Sequence, residues 1–520
     1  MSLAIFMKNS RSVFLFLIFF VLLVSACGRN RDEINGEESY DETGETIAGG
    51  ADVGELGEIT ERILTVRTTS MFSLVVEQAA RELNESWAER GKPYFLILNL
   101  EEHDDVVFAG NIALWHSAIE TREARFRVEL MAGLAPDLVF NDDFTFFTDD
   151  FYHRFSHPGF LMDFYTLIDN CPVTSRDDFF MDAISAREFM GGVFQLPMLF
   201  GFNYIGINNN IPQHFIDRFT ALSYISVSEI INLYLELLYT YPNEFGGMYT
   251  GLNILGRLNP FTINLPSFID FDARTANFIQ PDLIQSLELA REFNTRKNLP
   301  MILTSRNAIV STLDLREITI NSMFFGGWGG LGQVDAFFYR DDIPFTHFIP
   351  LTDDYGRLII SQPLPMLRPN FDPNVWIPIG ENTDLAWEFT RYLIKSFSQP
   401  IGQSAISPIA GDAALWGSNT FRVPIMRSLF ESHLNSVFER VVEFNEEFDF
   451  GFNTGAEFAR EAEMVKARIY EHSNMPTTIS ILPVPPALIM PVFEEFEMGL
   501  ITAEAALTRM QNSVRLWLIE

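Results

Sequence analysis

Cysteine is nearly missing from this chain of 520 residues, with Cys27 and Cys171 the two present. Two thiols so far apart build neither a disulfide framework nor a thiolate metal cage. Positive charge is scarce as well: 36 Lys and Arg face 69 Asp and Glu, for a net charge of −33. Such an acid surplus repels phosphate backbones, and no basic stripe offsets it locally, so nucleic acid is excluded as a partner. The conspicuous apolar run, residues 13–24, has twelve residues, well short of the ~20 that a membrane-spanning helix needs. Histidine numbers eight, and His153 and His157 stand four apart. Pro158 and Gly159 end any helix there, and no third ligand is near, so no metal site is expected. The Asp-x-Asp-x-Asp-Gly calcium loop, the G-x-S-x-G elbow and H-E-x-x-H are all missing, and Gly-Gly-Trp-Gly-Gly at 326–330 lacks the Lys of a phosphate loop. No catalytic residue and no cofactor is therefore assigned. Core material, by contrast, is plentiful, with 47% apolar residues and 50 Phe. At ~100–200 residues per domain, two large lobes are the natural division.

The amino terminus carries an export pattern. Lys8 and Arg11 precede the apolar run, and Ser25 and Ala26 follow it, giving a positive n-region, an h-region and a small-residue cleavage zone. Val24-Ser25-Ala26-Cys27 resembles the bacterial lipobox, in which the peptidase cuts before Cys and the thiol takes a diacylglycerol. The alternative is an ordinary signal peptide with an incidental Cys. Cleavage removes Lys8 and Arg11 and no acid, moving the charge from −33 to −35. From there to about residue 59 the chain is rich in Glu, Asp and Gly and poor in large apolar side chains. Such a stretch cannot offset its chain entropy by burial and reads as an extended acidic tether. Cys171 is then the one unmodified thiol; a buried inert Cys is the commoner case, and it receives no role.

Order is expected from residue 63. Ile63-Leu64-Thr65-Val66 reads as a strand, and Thr69 and Ser70 at its end are placed to cap the next helix, with ligand bonding as the other option. Phe72, Val76, Ala79, Leu83 and Trp87 form one helical stripe. Residues 94–98 read as a second buried strand, a helix is expected over about 122–131, and Leu138-Val139-Phe140 follows as another strand. This alternation argues an α/β sheet with crossover helices. Residues 195–208 read as an extended apolar crossing segment. Leu283, Leu287 and Ala290 mark a helix, and Leu385, Phe389, Tyr392 or Leu393, and Phe397 mark another that Asn382-Thr383-Asp384 opens. A last helix from Thr502 presents Ala506, Leu507, Met510, Val514 and Leu518, and the prolines of 483–486 make that stretch irregular.

In this order the segments resemble the family-1 extracellular solute-binding proteins of ATP-binding-cassette importers, a class that includes maltose-binding protein. The resemblance rests on the lipobox, the opening strand and helix ending in Ala80-Arg81-Glu82-Leu83-Asn84, and Ala135-Pro136-Asp137-Leu138-Val139-Phe140. It rests further on Val193-Phe194-Gln195-Leu196-Pro197 running on to Ile207-Asn208, on residues 381–389, and on Thr502-Ala503-Glu504-Ala505-Ala506-Leu507. It implies an α/β, two-lobe periplasmic-binding-protein-like fold with an interlobe hinge. On that pattern residues 1–26 are the signal peptide and 27–59 the tether. Residues 60–203 and 345–400 form the first lobe, and 204–344 and 401–520 the second. It also implies a monomer, lipid-anchored outside the cytoplasm through Cys27, that passes a sugar or oligosaccharide to the importer's membrane subunits and has no enzymatic activity. A secreted glycan-acting enzyme such as a glycoside hydrolase is the alternative, since paired carboxylates are abundant.

Ligand contacts are expected at the carboxyl ends of strands. Asn141, Asp142 and Asp143 follow the strand at 138–140, where a carboxylate accepts from sugar hydroxyls; the competing reading is a solvated loop. Trp328, between glycines, offers a flat face to a pyranose ring or else packs into the second lobe. Asn203 and Tyr204 lie on the crossing segment, where the Tyr204 ring lines the cleft or packs in the core.

Overall fold

The structure, a computed structural model, describes residues 59–69, 72–103, 112–142, 159–189, 191–202, 204–208, 211–241, 247–250, 260–296, 322–327, 345–360, 373–398, 423–448, 456–479 and 484–519. The signal segment, Cys27 and the tether up to residue 58 lie outside them.

The chain begins with β1 (Thr60–Thr69), α1 (Ser73–Glu89), β2 (Tyr94–His103), α2 (Ile112–Ala132), β3 (Leu138–Asp142), α3 (Phe164–Asp169) and α4 (Met181–Ser185). It continues through β4 (Leu196–Pro197), β5 (Leu199–Phe200), β6 (Tyr204–Asn208), α5 (Gln213–Thr220), β7 (Ile225–Ser226), α6 (Val227–Thr240) and β8 (Gly247–Thr250). Then come α7 (Pro260–Asn264), β9 (Ile269–Asp270), β10 (Thr275–Ala276), α8 (Pro281–Arg296), β11 (Ser322–Gly327), β12 (Phe345–Thr352) and β13 (Leu358–Ile360). The last part holds β14 (Pro373–Trp376), α9 (Thr383–Phe397), β15 (Val423–Pro424), α10 (Phe430–Phe448), α11 (Ala456–His472), β16 (Thr477–Ile479), α12 (Pro486–Glu497) and α13 (Ala503–Ile519).

Strand alternation and helical stripes account for these elements directly. In β1, Leu64, Val66 and Thr68 are buried while Ile63 on the other face is exposed, the period of two of a pleated strand. The α1 stripe of Phe72, Val76, Ala79, Leu83 and Trp87 is 0% exposed at every position. Phe72 itself takes the N-cap position and makes no side-chain cap bond; Ser70 and the Thr69 side chain, expected as caps, lie outside what the structure describes. The Phe72 ring lies 5.0 Å from that of Phe140. At the other end of the chain, Pro486 is the first residue of α12 rather than part of an irregular stretch. Its missing N–H is one that a helix start leaves unbonded in any case.

Two sheets organise the whole. The first has the order β2-β1-β3-β14-β4, with β2 and β3 parallel to β1 and β14 antiparallel to both β3 and β4. The second runs β16-β13-β12-β6-β11-β8, with β7 beside β12. Residues 345–360, expected with the first lobe, pair here: β12 lies antiparallel to β6, and β13 to β12. The chain rejoins the first sheet at β14.

Helices α1, α9, α10 and α11 bury Leu83, Phe389, Leu434 and Ile469 in the core of the first sheet. Helices α5 and α6 cover the second sheet through Phe215, Ile230 and Tyr234. Helices α7, α8, α12 and α13 build a third core around Phe261, Leu287, Phe493 and Met510. The α13 stripe is buried as its spacing requires.

Candidate functional site

The chain changes sheets within eight residues. Pro197 pairs with Asn374 in the first sheet, Leu199 and Phe200 pair with β15, Phe202 bridges Ile360, and Tyr204 opens β6 in the second. A second change lies between β13 and β14, and a third between α11, packed on the first core, and β16, paired with β13. Crossings of this kind form the hinge of a two-lobe molecule.

One polar pair joins the first crossing to the third. The Tyr204 hydroxyl lies 2.9 Å from Nδ1 of His472, and the rings are 5.8 Å apart. Both residues are buried. Burial, reinforced by the charge of Arg468, pulls the His472 pKa down to about 4, so the imidazole is neutral near pH 7. Burial likewise pushes the Tyr204 hydroxyl up, so both partners of the bond are uncharged. Tyr204 therefore packs in the core cluster, the second of the two roles open to it.

At the carboxyl end of the first sheet, Arg67 is 2% exposed. Its guanidinium donates to Glu101 at 2.9 Å and to Glu129 at 2.5 Å, and it lies 5.5 Å from the Phe126 ring centroid. Burial pushes the Glu129 carboxyl up, but the bonds from Arg67 and Arg125 outweigh it and hold the group ionised. Next to it, the Thr68 hydroxyl is buried and meets no partner among the described residues. The polar ending Arg-Thr-Thr on an apolar strand was the available signal for this cluster, which sequence reasoning passed over. His472 left no signal of its own.

Asp137, within the Ala135-Pro136-Asp137 motif, fixes the neighbouring frame. Its carboxylate accepts from the Thr65 backbone N–H at 2.8 Å and from Asn382 Nδ2 at 3.1 Å. One side chain thus joins β1, β3 and the start of α9. Asn382 also reaches the Ile63 carbonyl at 3.3 Å.

Of the residues singled out for ligand contact, Asn141 and Asp142 end β3, where their backbones pair with Asn374 and Pro373. Asp143, Asn203 and Trp328 lie outside the described residues. Their chain neighbours do meet: Gly327, before Trp328, pairs with Tyr204, after Asn203. Among the described residues, no group of three His, Cys, Asp or Glu could hold a metal ion. No helix among them is long and apolar enough to cross a membrane.

No family model matches the sequence, and no curated protein is detectably similar to it. Solved structures do match. The sugar-binding protein MalE from Xanthomonas citri is 11% identical with a TM-score of 0.51, over 88% of this chain and 98% of its own. An extracellular solute-binding protein of family 1 from Alicyclobacillus acidocaldarius is 10% identical with a TM-score of 0.46, over 88% and 99%. An ABC substrate-binding protein from Listeria monocytogenes, in complex with cycloalternan, is 12% identical with a TM-score of 0.44, over 88% and 98%. The likeness to MalE is one of fold, and the fold of this chain is the two-lobe α/β fold of periplasmic binding proteins.

Proposed function

We propose that this chain is an extracytoplasmic receptor, lipid-anchored at Cys27, that captures a carbohydrate between two α/β lobes. It acts as a monomer, leaves the ligand unaltered and presents it to the membrane subunits of an ATP-binding-cassette importer. The observation that carries the reading is the hinge. One chain passes between two sheets at residues 197–204, 360–373 and 472–477, within a fold shared with a sugar-binding protein. Sheet membership supports lobes drawn as residues 60–197, 373–398 and 423–472 against 204–360 and 477–519, in place of the limits read from the sequence, with Tyr204, Leu358 and Ile360 reaching into the first core at the crossings.

Closure needs a ligand that touches both lobes, because a ligand shifts a two-state equilibrium only by its differential affinity for the two states. The proposed contacts are therefore Asn141 and Asp142 at the end of β3 with Asp143 next in the chain, and Asn203 and Trp328, the chain neighbours of the paired Tyr204 and Gly327. Tyr204 joins two of the crossings through its bond to His472.

Titration calorimetry of the full chain against a panel of sugars and oligosaccharides tests the reading. Saturable one-to-one binding is expected, with a gain of about 2.7 kcal/mol in stability at a hundredfold excess over Kd. Failure of every carbohydrate to bind removes the substrate assignment. Sustained release of reducing ends from a polysaccharide replaces the receptor with a glycan-acting enzyme.

A further inference from the structure

Strand β2 closes the first sheet on one side: it pairs with β1 and, among the described residues, with no other strand. The Thr60 N–H bonds the Pro93 carbonyl at 2.7 Å, so in this parallel ladder positions 93, 95 and 97 turn their backbone groups to β1. Positions 94, 96, 98 and 100 turn theirs outward. The outward row belongs to Tyr94-Phe95-Leu96-Ile97-Leu98-Asn99-Leu100, a run with no charge and no proline. A long edge of that composition is a template for a further strand. Tyr94 and Phe95 are exposed, and the register of β2 on β1 is unbroken from end to end, so no bulge twists the edge away.

Near its middle that edge is already occupied. Asn84, on α1, donates from Nδ2 to the Leu96 carbonyl at 3.2 Å and accepts at Oδ1 from the Leu96 N–H at 2.6 Å. One side-chain amide thus makes both bonds that a neighbouring strand would make, and no strand can pair across Leu96 while it does. Asn84 follows the buried Leu83, so the packing of α1 on the sheet sets the amide at the edge. Asparagine is a poorer helix former than alanine; α1 gives up propensity here and gains the bridge.

We propose that Asn84 guards the β2 edge, holding the chain as a monomer by closing that edge to a second copy of itself. Without the guard, two β2 edges pair antiparallel about a two-fold axis at Ile97. In that register Leu96 meets Leu98 and Tyr94 meets Leu100. All of these positions turn their backbone groups outward, so ladder hydrogen bonds and apolar side chains match together. The guard rests on the fold alone and not on the carbohydrate reading, and it gives the monomeric state proposed above a structural cause.

Sedimentation velocity of the full chain over a concentration series, with hydrogen exchange at the Leu96 amide in dilute protein, tests the proposal. The parent is expected to stay monomeric with that amide protected. Asn84→Ala is expected to expose the amide in dilute solution and to about double in mass as concentration rises. Adding Tyr94→Pro, which removes one outward N–H from the edge, is expected to restore the monomer. Asn84→Ser, whose side chain is too short to reach both Leu96 groups, is expected to behave as the alanine variant and serves if that variant does not fold. A folded variant that stays monomeric across the series overturns the proposal. So does a Leu96 amide that exchanges as fast in the parent as in the variant, or association that Tyr94→Pro leaves unchanged.

Discussion

Acidification should destabilise this protein through His472 in a way that a single substitution removes. The folded imidazole has a pKa of about 4, whereas an unfolded histidine titrates near 6.5. Between those values the unfolded chain binds a proton that the folded chain refuses, so stability rises with pH and is lost as pH falls from about 6.5 to about 4. Integrated from pH 7 to pH 4.5, this linkage amounts to about 2 kcal/mol. The structural cause is burial of the ring with the charge of Arg468 beside it, where a protonated imidazole would be held without water. Urea unfolding at several pH values, in the parent and in His472→Gln, isolates the contribution, since carboxylate titrations are common to both. The parent should lose about 2 kcal/mol more than the variant over that interval. Parallel pH profiles would refute the reasoning, because they would mean that the ring is already charged or freely solvated in the folded state.

Asp137→Ala removes the acceptor of both the Thr65 N–H and Asn382; a loss of ~1–3 kcal/mol in unfolding free energy is expected, and an unchanged urea midpoint would show that water replaces the carboxylate. Trp328→Ala should weaken carbohydrate binding by ~1 kcal/mol or more in calorimetry, whereas unchanged affinity would remove the residue from the site. Tyr204→Phe should cost ~1–3 kcal/mol of stability by leaving His472 Nδ1 without its partner while ligand affinity stays within about twofold, as expected of a bond made alike in open and closed states.

Regular elements were legible where side-chain period and burial agree. The α1 and α13 stripes are buried as spaced, because one apolar face per helix has one place to go. The sheet to which a strand belongs was not legible. Nothing local in residues 345–360 marks them as partners of β6, since pairing across more than a hundred residues is decided by tertiary fit. The Ala135-Pro136-Asp137 motif was visible as a pattern, but its work, a carboxylate joining a strand to a distant helix start, needs the Thr65 and Asn382 positions.

The hinge segment restricts how closure can happen. Leu196, Met198, Leu199, Phe200, Phe202 and Tyr204 are all buried, and Phe200 and Phe202 stack edge to face at 5.5 Å. Exposing one large apolar side chain costs about 1.5–3 kcal/mol, so unpacking three of them costs on the order of 5–9 kcal/mol. A micromolar ligand supplies about 8 kcal/mol in total, and a motion that opened this strap would consume it. On the proposed mechanism the lobes therefore rotate with the strap's side chains fixed. The change falls on backbone torsions where the chain exchanges partners, between Pro197 and Leu199 and between Phe200 and Phe202. Affinity is then set at the cleft edges and stability at the strap, which is why substitutions at Trp328 and at Tyr204 should separate the two.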